Sequence, residues 1–511
     1  MTKLTTRASV LVLAFAAAGC STDVPLALKT SDVPDKFDGP IPTKVAQWPT
    51  KSWWQAFKSD ELNGLIAESE TNNLDIAVAA SAVLQAQATA NIQRSALFPS
   101  LNLEPTAERQ QTSGTRFSSA GISVEQPGAT FNTFGVNANA SYALDFWGLA
   151  RDNLRAANET LRSSAYAQEV VELTTVSDVG TTYLDILELR EQVALQKKNV
   201  EDANRVLVIV KAKLQNGVSS QLDLAQEEAL VAQQEAQIPV FEESENEARL
   251  ALAILLGRAP EGFDVKAQNL DSVALPLVAP GLPSALLLRR PDVAEAEANL
   301  SSAHANVDAA RAAFFPAVSL TGTAGTQSNV IGTLFHASTF EWSAGASALQ
   351  TLFDAGQLFA KSDLAKAQQL GLVATYRKTV ISAFSNVETA LGQTSNFDKE
   401  VKALEREVKA SAEAERVSEL QYREGIVDLT TLIQTQQTLF TAQQALVQAR
   451  LAYAQAVIGL YQSLGGGWSQ NPGDNTQPLP GTVEAADREP APVPNPQDSI
   501  WKSITDAIDI P

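Results

Sequence analysis

The sequence predicts a mainly α-helical chain that carries membrane β-strands and is built as a tandem duplication. Three observations predict it. One pattern occurs twice: Arg94, Phe98 and Pro99 close a helical stretch and open an alternating one, and Arg311, Phe315 and Pro316 do the same. Gly217 followed by Leu224-Ala-Gln226 matches Gly425 followed by Leu432-Ile-Gln434, and Arg249-Leu-Ala-Leu-Ala253 matches Arg450-Leu-Ala-Tyr-Ala454. Each copy then runs into a glycine, Gly257 and Gly459. Two long copies of one helix, strand, strand, helix, helix unit argue a single duplicated architecture. The second observation is a set of short segments alternating apolar and polar residues, the third a pair of helical stretches far longer than globular proteins use.

The first twenty residues indicate the compartment. Lys3 and Arg7 form a basic head, 10–18 a short apolar run, and Ala17-Ala18-Gly19-Cys20 a small-residue cleavage site. The apolar run falls short of the about 20 residues that span a bilayer. Cys20 is the only cysteine, so no disulfide forms within the chain. The site resembles a bacterial lipobox, which implies cleavage before Cys20, lipidation including palmitate on Cys20, and, with Ser21 next to it, sorting to the outer membrane. An ordinary signal peptide with an incidental cysteine is the alternative.

Loss of Lys3 and Arg7 takes the 38 basic residues to 36, against 58 acidic ones, for a balance of −22. Such a surface repels nucleic acid. No later segment has the length and apolarity of a transmembrane helix, so a membrane crossing has to be made by strands.

Four segments have that character. In 134–144, Phe134, Val136, Ala138, Ala140, Tyr142 and Leu144 alternate with Gly135, Asn137, Asn139 and Ser141. Val318, Leu320, Gly322 and Ala324 alternate with Ser319, Thr321 and Thr323, and Phe340, Trp342, Ala344 and Ala346 with Glu341 and Ser343. A fourth segment opens at Leu101 and Leu103. Strands are expected at about 99–115, 130–147, 316–328 and 340–354, near the roughly 10 residues of a tilted membrane strand. Two soluble hairpins would alternate in the same way; the matched placement in two repeats favours the membrane. Four strands cannot close a barrel, since closed membrane barrels begin at about 8. Open edges in lipid leave backbone groups unpaired, which a cyclic homo-oligomer pooling its strands avoids.

The helical stretch at 151–216 contains no proline and spans roughly 95 to 100 Å. Its counterpart runs over about 357–424. Such lengths suggest coiled-coil packing. Gly217 with Ser219 and Ser220, and Gly425 with Asp428, supply stops and new N-caps, so the chain turns back on itself at a narrow tip in each repeat.

Enzyme chemistry finds no support. The mature chain has two histidines, His304 and His336, no methionine and no clustered ligand set or paired nucleophile and base, so no cofactor or metal is expected. Lack of methionine also argues against a dedicated copper(I) relay.

Trp53-Trp54-Gln-Ala-Phe57 with Leu62 and Leu65, the Leu-Leu-Arg-Arg-Pro-Asp-Val run at 287–293 and Phe440-Thr-Ala-Gln-Gln444 together resemble a TolC-family outer membrane factor of the OprM-like (NodT-type) lipoprotein branch. The resemblance covers roughly 53–464. It implies a TolC-like fold: a homotrimer whose four strands per protomer form one 12-stranded β-barrel, continued by a coiled-coil α-barrel through the periplasm. It further implies an efflux duct in which a periplasmic adaptor and an inner membrane pump, RND-type, supply energy and selection. The expected divisions are a signal at 1–19, a lipidated linker at 20–52, repeats at 53–257 and 291–464, an equatorial linker at 258–290 and a tail at 465–511.

By the same resemblance, the gate lies at the tip. Asp223 and Tyr422 match the family's aspartate and tyrosine pair, expected to form one latch; an N-terminal helix charge is the other reading of Asp223. The second repeat departs from the pattern. Thr431 and Gln434 stand where TolC-like members carry ring aspartates, Gln437 where OprM-like members carry arginine, and Val427 at a lock-arginine position. Such an aperture is expected to be held less electrostatically and to be less cation-selective. Gly217, Val218, Ser219, Gly425, Ile426 and Val427 are the expected adaptor contacts. The tail, rich in proline, glycine and acids, reads as flexible or wrapped around the body. A type I secretion duct would share the whole architecture, and a scaffold lipoprotein would share its helices without conducting.

Overall fold

The computed structural model describes residues 33–470 apart from 35, 41–47, 120, 121, 127 and 277–282; the side chains of 115–126 are also outside it. Cys20 and the tail beyond 470 lie outside the described residues. Each repeat opens with a 22-residue helix, α2 (Leu74–Ser95) or α6 (Pro291–Ala312). Each then lays down a 12-residue strand, β1 (Ser100–Gln111) or β5 (Ala317–Ser328). The return strands are β4 (Thr130–Leu144) and β6 (Phe340–Leu349). Long helices of 67 residues follow, α3 (Leu149–Gln215) and α7 (Gln357–Arg423), then helices of 35 residues, α4 (Gln221–Leu255) and α8 (Leu429–Ser463). A short helix α1 (Asp60–Asn72) stands ahead of α2, and the one-turn α5 (Pro283–Leu286) ahead of α6.

The two strand pairs merge into one antiparallel sheet of order β1-β4-β5-β6. Its register sorts the side chains by face. One row reads Leu103, Ala138, Ala324 and Trp342; the next reads Glu104, Asn137, Gly325 and Glu341. Opposed residues of an antiparallel pair point the same way and successive residues alternate, so the sheet has one apolar face and one polar face, the pattern breaking only at the outer end where Arg109 pairs with Asn132 and Gln110 with Phe131. The apolar face is uncovered, with Leu101, Leu103 and Trp342 each more than 70% exposed. On the polar face Asn139 donates to Glu104 at 3.0 Å, and the hydroxyls of Ser319 and Ser347 lie 2.9 Å apart. Strands β1 and β6 each pair on one side only.

One difference from the sequence reading is a separate hairpin, β2 (Thr115–Ser119) with β3 (Ile122–Gln126), where a single strand to about 115 was expected. The main ladder ends at the pair Gln111 and Thr130, and the chain between re-pairs on itself.

The principal core lies midway along the long helices. Trp53, Phe57, Leu62 and Ile66 pack against Val179, Tyr183 and Leu187 of α3, Val387 and Leu391 of α7, and Val457 and Tyr461 of α8. Trp53 and Tyr461 stack at 5.0 Å with planes 18° apart. The Arg-Pro-Asp run explains itself at this level. Pro291 starts α6, where its missing N–H costs nothing. Arg290, buried, donates to both Asp292 oxygens at 2.9 and 2.7 Å and to the Ser463 carbonyl at 2.8 Å, satisfying an orphan acceptor at the end of α8. No described helix is long and apolar enough to cross a membrane.

Candidate functional site

The far ends of the long helices form two equivalent tips. Gly217 and Gly425 both adopt φ +75°, the left-handed conformation that ends a helix without a Cβ penalty. Val218 N–H donates to the Lys213 carbonyl at 3.0 Å, and Ile426 N–H to that of Gln421 at 2.8 Å, so both turns close with the same backbone bonds. The next helices are capped differently. Ser220 and Asp223 form a reciprocal capping box at the head of α4, with Asp223 also accepting from the Ser219 hydroxyl at 2.8 Å. Asp428 caps α8 by accepting from the N–H and hydroxyl of Thr431 at 2.9 and 2.7 Å.

Tyr422 is buried among Val206 and Val210 of α3 and Leu429 and Leu432 of α8. The Lys213 ammonium lies 4.4 Å above the centre of its ring and donates to its carbonyl. Its hydroxyl has no hydrogen-bond partner. Burial raises the Tyr422 phenol above its ordinary pKa against an opposing pull from the nearby Ser219 hydroxyl, which lies outside good hydrogen-bond geometry, and the charges of Asp223 and Glu227 add to the rise. The Asp223 carboxyl is held below the usual range, chiefly by the Ser220 backbone N–H, with the Ser219 hydroxyl adding to it. The structure thus brings Asp223 and Tyr422 into one neighbourhood without a direct bond: the carboxylate is taken up by its own helix cap.

Thr431, Gln434 and Gln437 recur at intervals of three on the exposed side of α8, opposite buried Leu432, Gln436 and Leu439. That exposed side carries no charge. Val218 and Ile426 stand about 70% exposed at the two turns, beside Gly217 and Gly425, while Ser219 is half-buried and Val427 packs into the Tyr422 cluster. Sequence reasoning missed Lys213 and Glu227. Glu227 is fully buried with both carboxyl oxygens unpartnered, and burial pushes its carboxyl up to about 7. Its signal was present in outline, one helical turn beyond Asp223.

Residues 65–258 and 282–466 each match the family model described as outer membrane efflux protein, one match per repeat. The chain belongs to the outer membrane efflux protein family. A family relative, the pyoverdine export outer membrane protein OpmQ of Pseudomonas putida, is 35% identical over 458 residues, covering 90% of this chain and 97% of its own length. The antibiotic efflux pump outer membrane protein ArpC, also of Pseudomonas putida, is 32% identical over 92% of this chain and 97% of its own. The open state of the Neisseria gonorrhoeae MtrE outer membrane channel superposes with a TM-score of 0.76 at 29% identity, covering 86% of this chain and 96% of that one. The fold is therefore that of the TolC-like outer membrane efflux channels, and the function is efflux across the outer membrane.

Proposed function

We propose that three copies of the chain form the exit duct of a tripartite efflux system, a passive conduit for small organic molecules. The single observation that carries this is the two-faced sheet with an open edge on either side, continued directly into helices of 67 residues. An uncovered apolar face fits lipid, a polar face fits a water-filled lumen, and the edges of β1 and β6 need neighbours that only further copies supply. Three copies pool twelve strands. The helices, about 100 Å long at 1.5 Å per residue, carry the lumen into the periplasm. A periplasmic adaptor would meet the tips at Gly217, Val218, Ser219, Gly425, Ile426 and Val427, where apolar side chains already face outward. An inner membrane pump, RND-type, would supply the energy, since a duct makes and breaks no bond. The named cargoes of OpmQ and ArpC, pyoverdine and antibiotics, support organic cargo.

The gate in this reading lies where Tyr422 meets the Ser219 and Asp223 cap, with Thr431, Gln434 and Gln437 lining the aperture uncharged. Cys20 anchors the chain to outer membrane lipid. The test is conductance of purified, detergent-extracted protein in planar bilayers, with its mass measured on the same sample. Trimers with discrete pores are expected; monomers that never conduct would overturn the reading in favour of a scaffold.

A further inference from the structure

The inner seam of α3 is read from residues four and three apart, Gln192, Gln196, Asn199, Ala203, Val206 and Val210, all at most 1% exposed. This is a heptad pattern, and its polar members need partners. Gln196 finds them: it donates to the side-chain and main-chain carbonyls of Gln234 on α4 at 2.7 and 2.9 Å and accepts from Gln444 on α8 at 3.0 Å. These bonds set the register of both antiparallel neighbours. Seven residues beyond Gln196 on α3 stands Ala203, and seven before Gln234 on α4 stands Glu227. Eight before Gln444 on α8 stands Gln436. One level nearer the tip, Val206 and Val210 pack on Leu429 and Leu432. Glu227, Gln436 and Ala203 therefore occupy one level of the seam, with Asn199 a turn above.

At that level nothing is satisfied. Both oxygens of Glu227, both amide atoms of Gln436 and both amide atoms of Asn199 are buried without a hydrogen-bond partner. An ionised carboxylate here would be uncompensated, which a protein interior tolerates poorly.

We propose that Glu227 is a proton-operated wedge of the duct's periplasmic end: protonated, it stays in the seam and the tip is held together, whereas ionised it draws α4 outward from α3 and α8. This rests on the duct reading above. The charges around it do not neutralise it. From α3, Asp202 and Arg205 pair with each other and Arg205 with Glu419 of α7, Lys211 pairs with Glu228, and Lys213 is engaged by Tyr422. From α4 itself, Asp223 is held in its cap. From α7, Glu419 also pairs with Arg423, and Glu415 titrates upward through burial and the charge of Glu419. From α8 there is no titratable side chain between Asp428 and Arg450.

The direction of the pH effect follows from Glu227 holding its proton up to about 7 in the closed seam against 4.5 when free. The closed seam is fully stabilised below about 4.5, and each pH unit above that weakens closure by up to about tenfold until about 7, where the effect levels off.

The experiment compares wild type with E227Q, E227M and E415Q in planar bilayers between pH 5 and 8. In parallel, amide hydrogen exchange over 196–240 is corrected for its intrinsic pH dependence. Wild type is expected to conduct more and exchange faster at pH 8 than at pH 5. E227Q or E227M is expected to abolish that difference, while E415Q keeps it. Pores whose pH profile is the same in wild type and E227Q overturn this inference alone. Complete absence of pores sinks the duct reading, and the exchange data still decide whether Glu227 loosens the seam. If neither variant assembles, a wild-type profile flat across this range overturns the inference.

Discussion

The ammonium of Lys213 caps the ring of Tyr422 at 4.4 Å and donates to the same residue's carbonyl, tying the end of α3 in the first repeat to the end of α7 in the second. One side chain thereby joins both tips through two kinds of contact. Replacing it removes a cation–π contact and a charge-assisted hydrogen bond together. Lys213→Met is expected to lower the free energy that opens the tip by about 1–2 kcal/mol. Amide exchange over residues 420–430 checks this, since faster exchange confined to the tip is the expected signature.

Tyr422→Phe separates packing from gating. The hydroxyl has no partner, so its removal should alter stability by no more than about 0.5 kcal/mol. With the proposed gate lying where Tyr422 meets the Ser219 and Asp223 cap, single-channel conductance is nevertheless expected to rise. Conductance equal to wild type would remove the latch.

Arg290 joins the start of α6 to the end of α8 from a buried position. Arg290→Ala removes the donor to the Ser463 carbonyl and leaves Asp292 with the Val293 N–H at 3.0 Å, and is expected to cost about 2–3 kcal/mol, at the low side for a broken ion pair because Asp292 is part-exposed. Loss of heat resistance of the proposed trimer on gels would show it, and unaltered heat resistance would count against the clamp.

The sheet's two faces predict opposite outcomes for neighbouring residues. Trp342→Lys places a charge on the apolar face and should oppose insertion by about 2–4 kcal/mol at the bilayer midplane, and by less near either interface. Ser343→Lys, one residue on and facing the polar side, should insert normally and shift ion selectivity toward anions. Insertion assays followed by reversal-potential measurements test both; equal insertion of the two variants would contradict the assignment of faces.

Much of this architecture could be read from local signals. The alternation at 134–144 and the glycines at 217 and 425 report backbone period and turn conformation, which depend on few neighbours. The β2–β3 hairpin escaped although Ser113-Gly114 marks a turn: where a ladder ends and the chain re-pairs on itself depends on which strand lies opposite, and the local sequence does not carry that. Asp223 was ambiguous for a different reason: a capping aspartate and a latch aspartate have the same sequence signature, and only the Ser220 and Ser219 bonds show how its oxygens are occupied. Glu227 offered only its place one helical turn beyond Asp223; its burial depends on Gln196 meeting Gln234 and Gln444, two contacts made by residues far apart in the chain.

The matched helix lengths, 67 with 67 and 35 with 35, make the protein a ruler. Adding one heptad to α3 and α4 alone would push that hairpin about 10 Å beyond its twin and leave a ragged rim where a partner needs a level one. Any change in reach must therefore be written four times, at corresponding places in both repeats. In the proposed duct, the distance between the two membranes is thus a constraint that acts on each half of this gene through the other.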